Sequence, residues 1–139
     1  MQFDGRCSRI LVVDHDRTTL EMVQIRLDVA GYHPIGARTA SAALEVLGNT
    51  RPDGLILDRH LPGIDGLAFL AAMAHLQERR PLPVLLVGRG LAAEDVRQAV
   101  ELGVRDVLAK PFSGAAVLER VGRMLRKGPA PAQVQRLSA

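Results

Sequence analysis

Leu55-Ile56-Leu57-Asp58-Arg59-His60-Leu61-Pro62-Gly63-Ile64-Asp65-Gly66 is the stretch that decides the fold. Its apolar run stops abruptly at Asp58, and a turn rich in Pro and Gly follows. A short apolar run bounded by turn signals reads as a buried strand, here Asp53 to Asp58. A carboxylate at the end of such a strand sits at the mouth of a sheet rather than inside it. In open α/β sheets that mouth, at the carboxyl ends of the strands, is where ligands bind. Asp58 is therefore the candidate functional residue.

The same pattern recurs outward from this stretch. Ile10-Leu11-Val12-Val13 is a β-branched run stopped by Asp14-His15-Asp16, hence a strand. Thr18 to Ala30 carries Leu20, Val23, Leu27 and Ala30 at helical spacing, and Gly31 ends the helix as a C′ residue. Tyr32 to Ala37 is a weaker strand, and Pro34 suits it to an edge. Thr39 or Ser41 caps a second helix through Leu47. Gly66 to Gln77 reads as a third helix, Val84 to Val87 as a fourth strand, and Ala92 to Leu102 as a fourth helix. Val104 to Ala109 is the fifth strand, and Ser113 caps a last helix to about Lys127. Residues 1–8 read as an N-terminal extension, 9–127 as one domain, and 128–139, with Pro129 and Pro131, as a flexible tail.

Strands alternating with helices imply a parallel sheet covered on both faces, because parallel strands need crossover connections. Right-handed crossovers leave the Rossmann-like and flavodoxin-like orders. Order 2-1-3-4-5, a (βα)5 flavodoxin-like doubly wound sheet, keeps the Pro34 strand at an edge. It also brings Asp14 and Asp58 face to face across a crevice, with Lys110 arriving from strand five.

The bulk numbers narrow the setting. A chain of 139 residues suits one core, and 47% hydrophobic with 24% charged residues is ordinary for a globular domain. Aromatic residues are 3%, which counts against base stacking on single-stranded nucleic acid. The net charge of +3 comes from Arg spread along the chain and reads as solvated surface. A single Cys7 leaves no internal disulfide and no Cys-based zinc site. The polar N-terminus shows no signal peptide, and no apolar run approaches the roughly 20 residues of a membrane span. A cytoplasmic location with no membrane partner is the expectation.

Two carboxylates converging at a strand mouth repel each other unless a cation lies between them. Mg²⁺ suits carboxylates, backbone oxygen, water and phosphate. An Asp beside it can attack a phosphoryl group, and a Lys ammonium offsets the charge of the transferred oxygens. Ile10-Leu-Val-Val-Asp14, the Asp58-x-x-Leu-Pro-Gly-x-Asp-Gly66 loop and Ala109-Lys110-Pro111-Phe112 together resemble the receiver domain of two-component response regulators, over about Arg9 to Lys127. The resemblance implies that Asp58 accepts a phosphoryl group from a phosphohistidine donor with Mg²⁺. It also implies that Asp14 acts in the metal site, that His60 lends it a backbone carbonyl, and that Lys110 contacts the phosphoryl group. Pro111 would follow a cis peptide bond.

Three positions depart from that family. The second acid expected after strand one, a direct metal ligand, is His15. Imidazole is a poor Mg²⁺ ligand but suits softer metals, so a weakened Mg²⁺ site is expected; a His15/His60 transition-metal site stands beside a solvent-facing His15. The Thr or Ser expected after strand four is Gly88, followed by Arg89, which either substitutes as a phosphate ligand or is a solvated loop residue. The aromatic switch residue expected in strand five is Val107, so the coupling of a moving hydroxyl to a turning ring cannot operate in that form.

Two other readings compete. One is a degenerate receiver that binds proteins without phosphorylation. The other is a haloacid-dehalogenase-type phosphatase, whose Asp-x-Asp-x-Thr start is matched by Asp14-His15-Asp16-Arg17-Thr18. Those enzymes need an acidic pair after the Lys, and only Glu119 follows Lys110. The preferred reading is therefore a signalling module and not an enzyme. Its partners would be a sensor histidine kinase or a histidine phosphotransfer protein. The face built by helix four, strand five and helix five, carrying Arg97, Arg105, Arg120 and Arg123, would dock a partner or a second copy. With no residues left for an output domain after Lys127, direct DNA binding is not expected.

Overall fold

The computed structural model describes residues 7–74 and 82–126. Five parallel strands, β1 (Arg9–Val13), β2 (His33–Ala37), β3 (Gly54–Asp58), β4 (Val84–Gly88) and β5 (Asp106–Ala109), form one sheet in the order β2-β1-β3-β4-β5. The helices are α1 (Arg17–Val29), α2 (Ala40–Asn49), α3 (Gly66–Met73), α4 (Ala93–Glu101) and α5 (Gly114–Arg126). This is the flavodoxin-like order expected from the sequence.

The order follows from which strands can tolerate an edge. Every residue of β3 and β4 is buried, and β1 exposes only Arg9, so these three hold the centre. β2 is half-exposed and carries Pro34, and it lies outermost. Side chains alternate across each strand and feed two apolar layers. Leu11, Val13, Leu55, Leu57 and Leu86 point into the layer shared with Ala43, Phe69, Leu70 and Ala99 of α2, α3 and α4. Ile10, Val12, Ile56, Leu85 and Val87 point the other way, onto Leu20, Val23 and Leu27 of α1 and Val117, Val121 and Met124 of α5. Each fully buried Leu or Ile contributes about 1.5–3 kcal/mol by leaving water.

The helix starts are fixed by side-chain oxygens. Asp16 Oδ2 accepts from Thr19 N at 3.2 Å, so the acid one residue past the expected pair is the N-cap of α1. Thr39 caps α2 through Ala42 N at 3.0 Å, which decides between the two candidates. Ser113 Oγ accepts from Ala116 N at 3.0 Å. Gly31 follows α1 at φ 97, a left-handed position suited to glycine.

Two features differ from the sequence reading. Val104 is buried but precedes β5, because its N–H returns to Ala99 O at 3.0 Å and closes α4. The turn after Asp58 contains a two-residue antiparallel ribbon, His60–Leu61 with Ile64–Asp65. The last turn expected for the third helix, to Gln77, and the tail after Lys127 lie outside the described residues.

Candidate functional site

The register of the sheet carries the candidate side chains to one place. Val13 pairs with Leu57, and Asp58 pairs with Val87, so Asp14 and Asp58 leave adjacent strands at nearly the same height. Lys110 follows the end of β5, and its Nζ lies 2.8 Å from Asp14 Oδ2 and 3.2 Å from Asp58 Oδ2. Both carboxylates are buried, at 2% and 1% exposure, so a single ammonium shared between them is worth far more than at a surface. The Lys110–Pro111 peptide bond is cis.

Backbone donors complete the pocket. His60 N donates to Asp58 Oδ1 at 3.0 Å, and Asp16 N donates to Asp14 Oδ1 at 2.9 Å. Burial opposes ionisation of Asp58, but the His60 N–H and the Lys110 ammonium outweigh it and hold the carboxyl below its ordinary value. At Asp14 burial wins over Lys110 and the Asp16 N–H, and the charge of Asp58 adds to it, so the pKa is raised. The pocket thus keeps Asp58 as the more readily ionised of the pair.

His15 completes the cluster. Its Nδ1 is 3.1 Å from Asp58 Oδ2, and donor atoms of Asp14, His15 and Asp58 all lie within 4.8 Å of one another. The His60 imidazole is not part of this group; its side chain is exposed, and only its backbone borders the pocket. Among the described residues, the group placed to ligate a cation is His15 with the two carboxylates, and His60 is not in it.

Sequence reasoning missed two arginines. Arg38, just past β2, donates from Nη2 and Nε to His15 O at 3.2 and 3.4 Å. Its signal was its place after the strand that neighbours β1. Arg59, directly after Asp58, turns away from the pocket. Its Nε lies 2.8 Å from Asp65 Oδ1, and its Nη2 lies 3.2 Å from Asp95 Oδ1 on α4. The Asp65 contact is an ion pair without hydrogen-bond alignment, since the buried Nε has no aligned acceptor.

Gly88 and Gly66 owe their identity to this crowding. A Cβ on Gly88 would stand 2.9 Å from Arg59 Cβ and 3.2 Å from Leu91 Cδ2, so Arg59 and Leu91 fill the room a hydroxyl-bearing side chain would need. A Cβ on Gly66 would meet Asp58 O at 2.5 Å. Arg89 is exposed and has no bond to Asp14, Asp58 or Lys110. Val107 lies half-buried on β5, against the layer that holds Leu86 and Ala99.

The arginines expected on the face of α4, β5 and α5 are engaged within the chain. Arg120 and Arg123 pair with Asp106 at 3.1 and 2.7 Å, and Arg105 Nη1 donates to Met124 O at 3.0 Å. Arg97 pairs with Glu94.

The family model for the response regulator receiver domain matches residues 10–122. The chain belongs to that family. The phosphate regulon transcriptional regulatory protein PhoB of Klebsiella pneumoniae is 32% identical over 119 residues, covering 86% of this chain and 52% of that protein. The transcriptional regulatory protein PrrA of Mycobacterium leprae is 32% identical over 124 residues, covering 89% of this chain and 52% of that one. The chain thus spans about half the length of the curated relatives it matches. Chemotaxis response regulator CheY4 of Vibrio cholerae superposes with a TM-score of 0.80 at 26% identity, covering 86% of this chain and 100% of its own. The non-phosphorylated HemR receiver domain of Leptospira biflexa gives 0.80 at 26%, covering 87% and 96%. A receiver is a signalling module of two-component systems rather than a classical enzyme, and this separates the chain from the phosphatase alternative. Among the described residues no helix is long and apolar enough to cross a membrane.

Proposed function

We propose that residues 9–127 act as a receiver that takes a phosphoryl group on Asp58 from a phosphohistidine donor, on a sensor histidine kinase or a histidine phosphotransfer protein. The observation that carries this reading is an ionised, buried Asp58 with the Lys110 ammonium 3.2 Å from its Oδ2. A carboxylate oxygen of Asp58 attacks phosphorus; the new O–P bond forms as the donor's N–P bond breaks. The electron pair of that bond stays on the donor imidazole, which takes up a proton from solvent. Lys110 then offsets charge on the phosphoryl oxygens.

Two buried carboxylates sharing one ammonium fit a divalent cation, which Asp14, Asp58 and the His60 carbonyl would hold. When bound, Mg²⁺ supplies positive charge to the transferred group. The His15 imidazole does not fit Mg²⁺ well, so a weakened site is expected. Signalling then proceeds by protein contacts, with the α4–β5–α5 face as the surface offered to a partner or a second copy.

Acetyl phosphate with Mg²⁺, followed by intact mass, tests this. The expected result is the gain of one phosphoryl group in the native chain and none in Asp58→Asn. No gain, under conditions that label an ordinary receiver, would favour the second reading, a phosphorylation-independent protein-binding module. The observation in favour of that reading is the Arg59 and Leu91 packing at Gly88, which removes the hydroxyl and the room for it.

A further inference from the structure

We infer that the cation site of this chain, taken from the proposed reading, is tuned by His15 to borderline transition-metal ions of the Co²⁺ and Zn²⁺ class in preference to Mg²⁺. The His15 imidazole presents Nδ1 to the pocket, 3.1 Å from Asp58 Oδ2, and the donor atoms of Asp14, His15 and Asp58 lie within 4.8 Å of one another. An ion drawn to the buried carboxylates would thus meet a ring nitrogen where a third oxygen would otherwise stand. Mg²⁺ demands oxygen donors in near-octahedral array and sheds water reluctantly. Imidazole suits Co²⁺ and Zn²⁺, and nitrogen donation raises their advantage over a hard ion.

The backbone that carries the ring is held on its other side. Arg38 holds the His15 carbonyl by two donors, at 3.2 and 3.4 Å, while Asp16 N fixes Asp14 Oδ1 at 2.9 Å. Two neighbouring donors of the site, Asp14 and His15, are therefore anchored through their own backbone segment. Lys110 stands on the carboxylates without neutralising both, which leaves net negative charge for a cation.

The experiment uses the full chain with no phosphoryl donor present. Calorimetric titration with Co²⁺, Zn²⁺ and Mg²⁺ gives the affinity ratio, and pulsed electron paramagnetic resonance of the Mn²⁺ complex reports nitrogen ligation. Expected are a preference for Co²⁺ over Mg²⁺ that narrows by about tenfold or more in His15→Asp, with Mg²⁺ affinity rising, and an imidazole nitrogen coupling that vanishes in that variant. His15→Gln should lose the same coupling, and because the side chain is half-exposed both variants should keep the native circular dichroism. An unchanged ratio in His15→Asp, an absent nitrogen coupling, or no binding of any of these ions would overturn the inference. Nitrogen-coupled binding without labelling of Asp58 by acetyl phosphate in any ion would support it while sinking the proposed phosphoryl transfer, so the two failures are separable.

Discussion

Asp58 and Arg59 are consecutive residues with opposite surroundings. On the Asp58 side, Lys110 Nζ, His15 Nδ1 and the His60 N–H lie within hydrogen-bond distance of a carboxylate held ready in its charged form. On the Arg59 side, a guanidinium bridges Asp65 at the start of α3 and Asp95 in the first turn of α4, beside a glycine that offers no side chain. The first region carries the charges that phosphoryl transfer needs. The second has replaced a hydroxyl with a tether. Chemistry and read-out can therefore diverge within one turn of chain, because alternate residues of a strand face different layers.

The comparison breaks hardest at Lys110. Lys110→Ala leaves the two buried carboxylates without their ammonium, and urea denaturation should show a loss of about 3–5 kcal/mol. Labelling by acetyl phosphate should fall sharply as well. Arg59→Ala should leave labelling intact; a comparable loss there would mean that the two sides are one unit.

Gly66→Val comes next, since its Cβ would press on Asp58 O at 2.5 Å. Overpacking of this kind should cost about 1–3 kcal/mol by denaturant midpoint. Gly88→Thr tests the other side with a smaller clash, against Arg59 Cβ at 2.9 Å and the more yielding Leu91 Cδ2 at 3.2 Å. Paired with Arg59→Gly, which removes the Cβ that stands 2.9 Å away, it should give a coupling of about 0.5–3 kcal/mol, the threonine being better tolerated in that background. Strict additivity would show that Arg59 is not what excludes a side chain from position 88.

The smallest effect is a sign. Asp14 has its pKa raised on folding, so its contribution is fully favourable below the unfolded value and is lost as pH rises through the folded one. Asp14→Asn should therefore raise the thermal midpoint at neutral pH, with the gain fading as pH falls through the folded pKa. Asp58 is shifted the other way: its stabilisation is present above the unfolded value and is lost as pH falls through the folded one. Asp58→Asn should accordingly lower the neutral-pH midpoint. Equal signs for the two variants would erase the distinction drawn between them.

Much of this was legible in the chain because burial on both faces leaves an unbroken apolar signature. Ile10 to Val13, Leu55 to Leu57 and Val84 to Val87 could hardly be anything but inner strands, and Pro34 marked an edge. With the order in hand, the meeting of Asp14, Asp58 and Lys110 followed from three strand ends. What stayed hidden depends on partners far apart in sequence. Arg59 reads as an ordinary polar turn residue until Asp95 is placed beside it, and Gly88 reads as a missing hydroxyl until Arg59 Cβ is seen in the space. Val104 looked like strand because burial and strand look alike in a short apolar pair, whereas its N–H belongs to the end of α4. Arg120 and Arg123 of the α4–β5–α5 face looked like free charge because Asp106, which holds both, lies more than a dozen residues from each.

That last network bears on how the molecule keeps to itself. β5 is an outer strand, and at its midpoint Val107 donates its N–H to Asp106 Oδ1 at 2.9 Å while its carbonyl accepts from Arg120 Nη1 at 2.7 Å. A passing strand finds both groups already taken. On the opposite rim Pro34 of β2 has no N–H to give. The sheet is thereby blunted at both margins against the strand-by-strand growth that open edges invite, and protein contacts are left to its helices and loops.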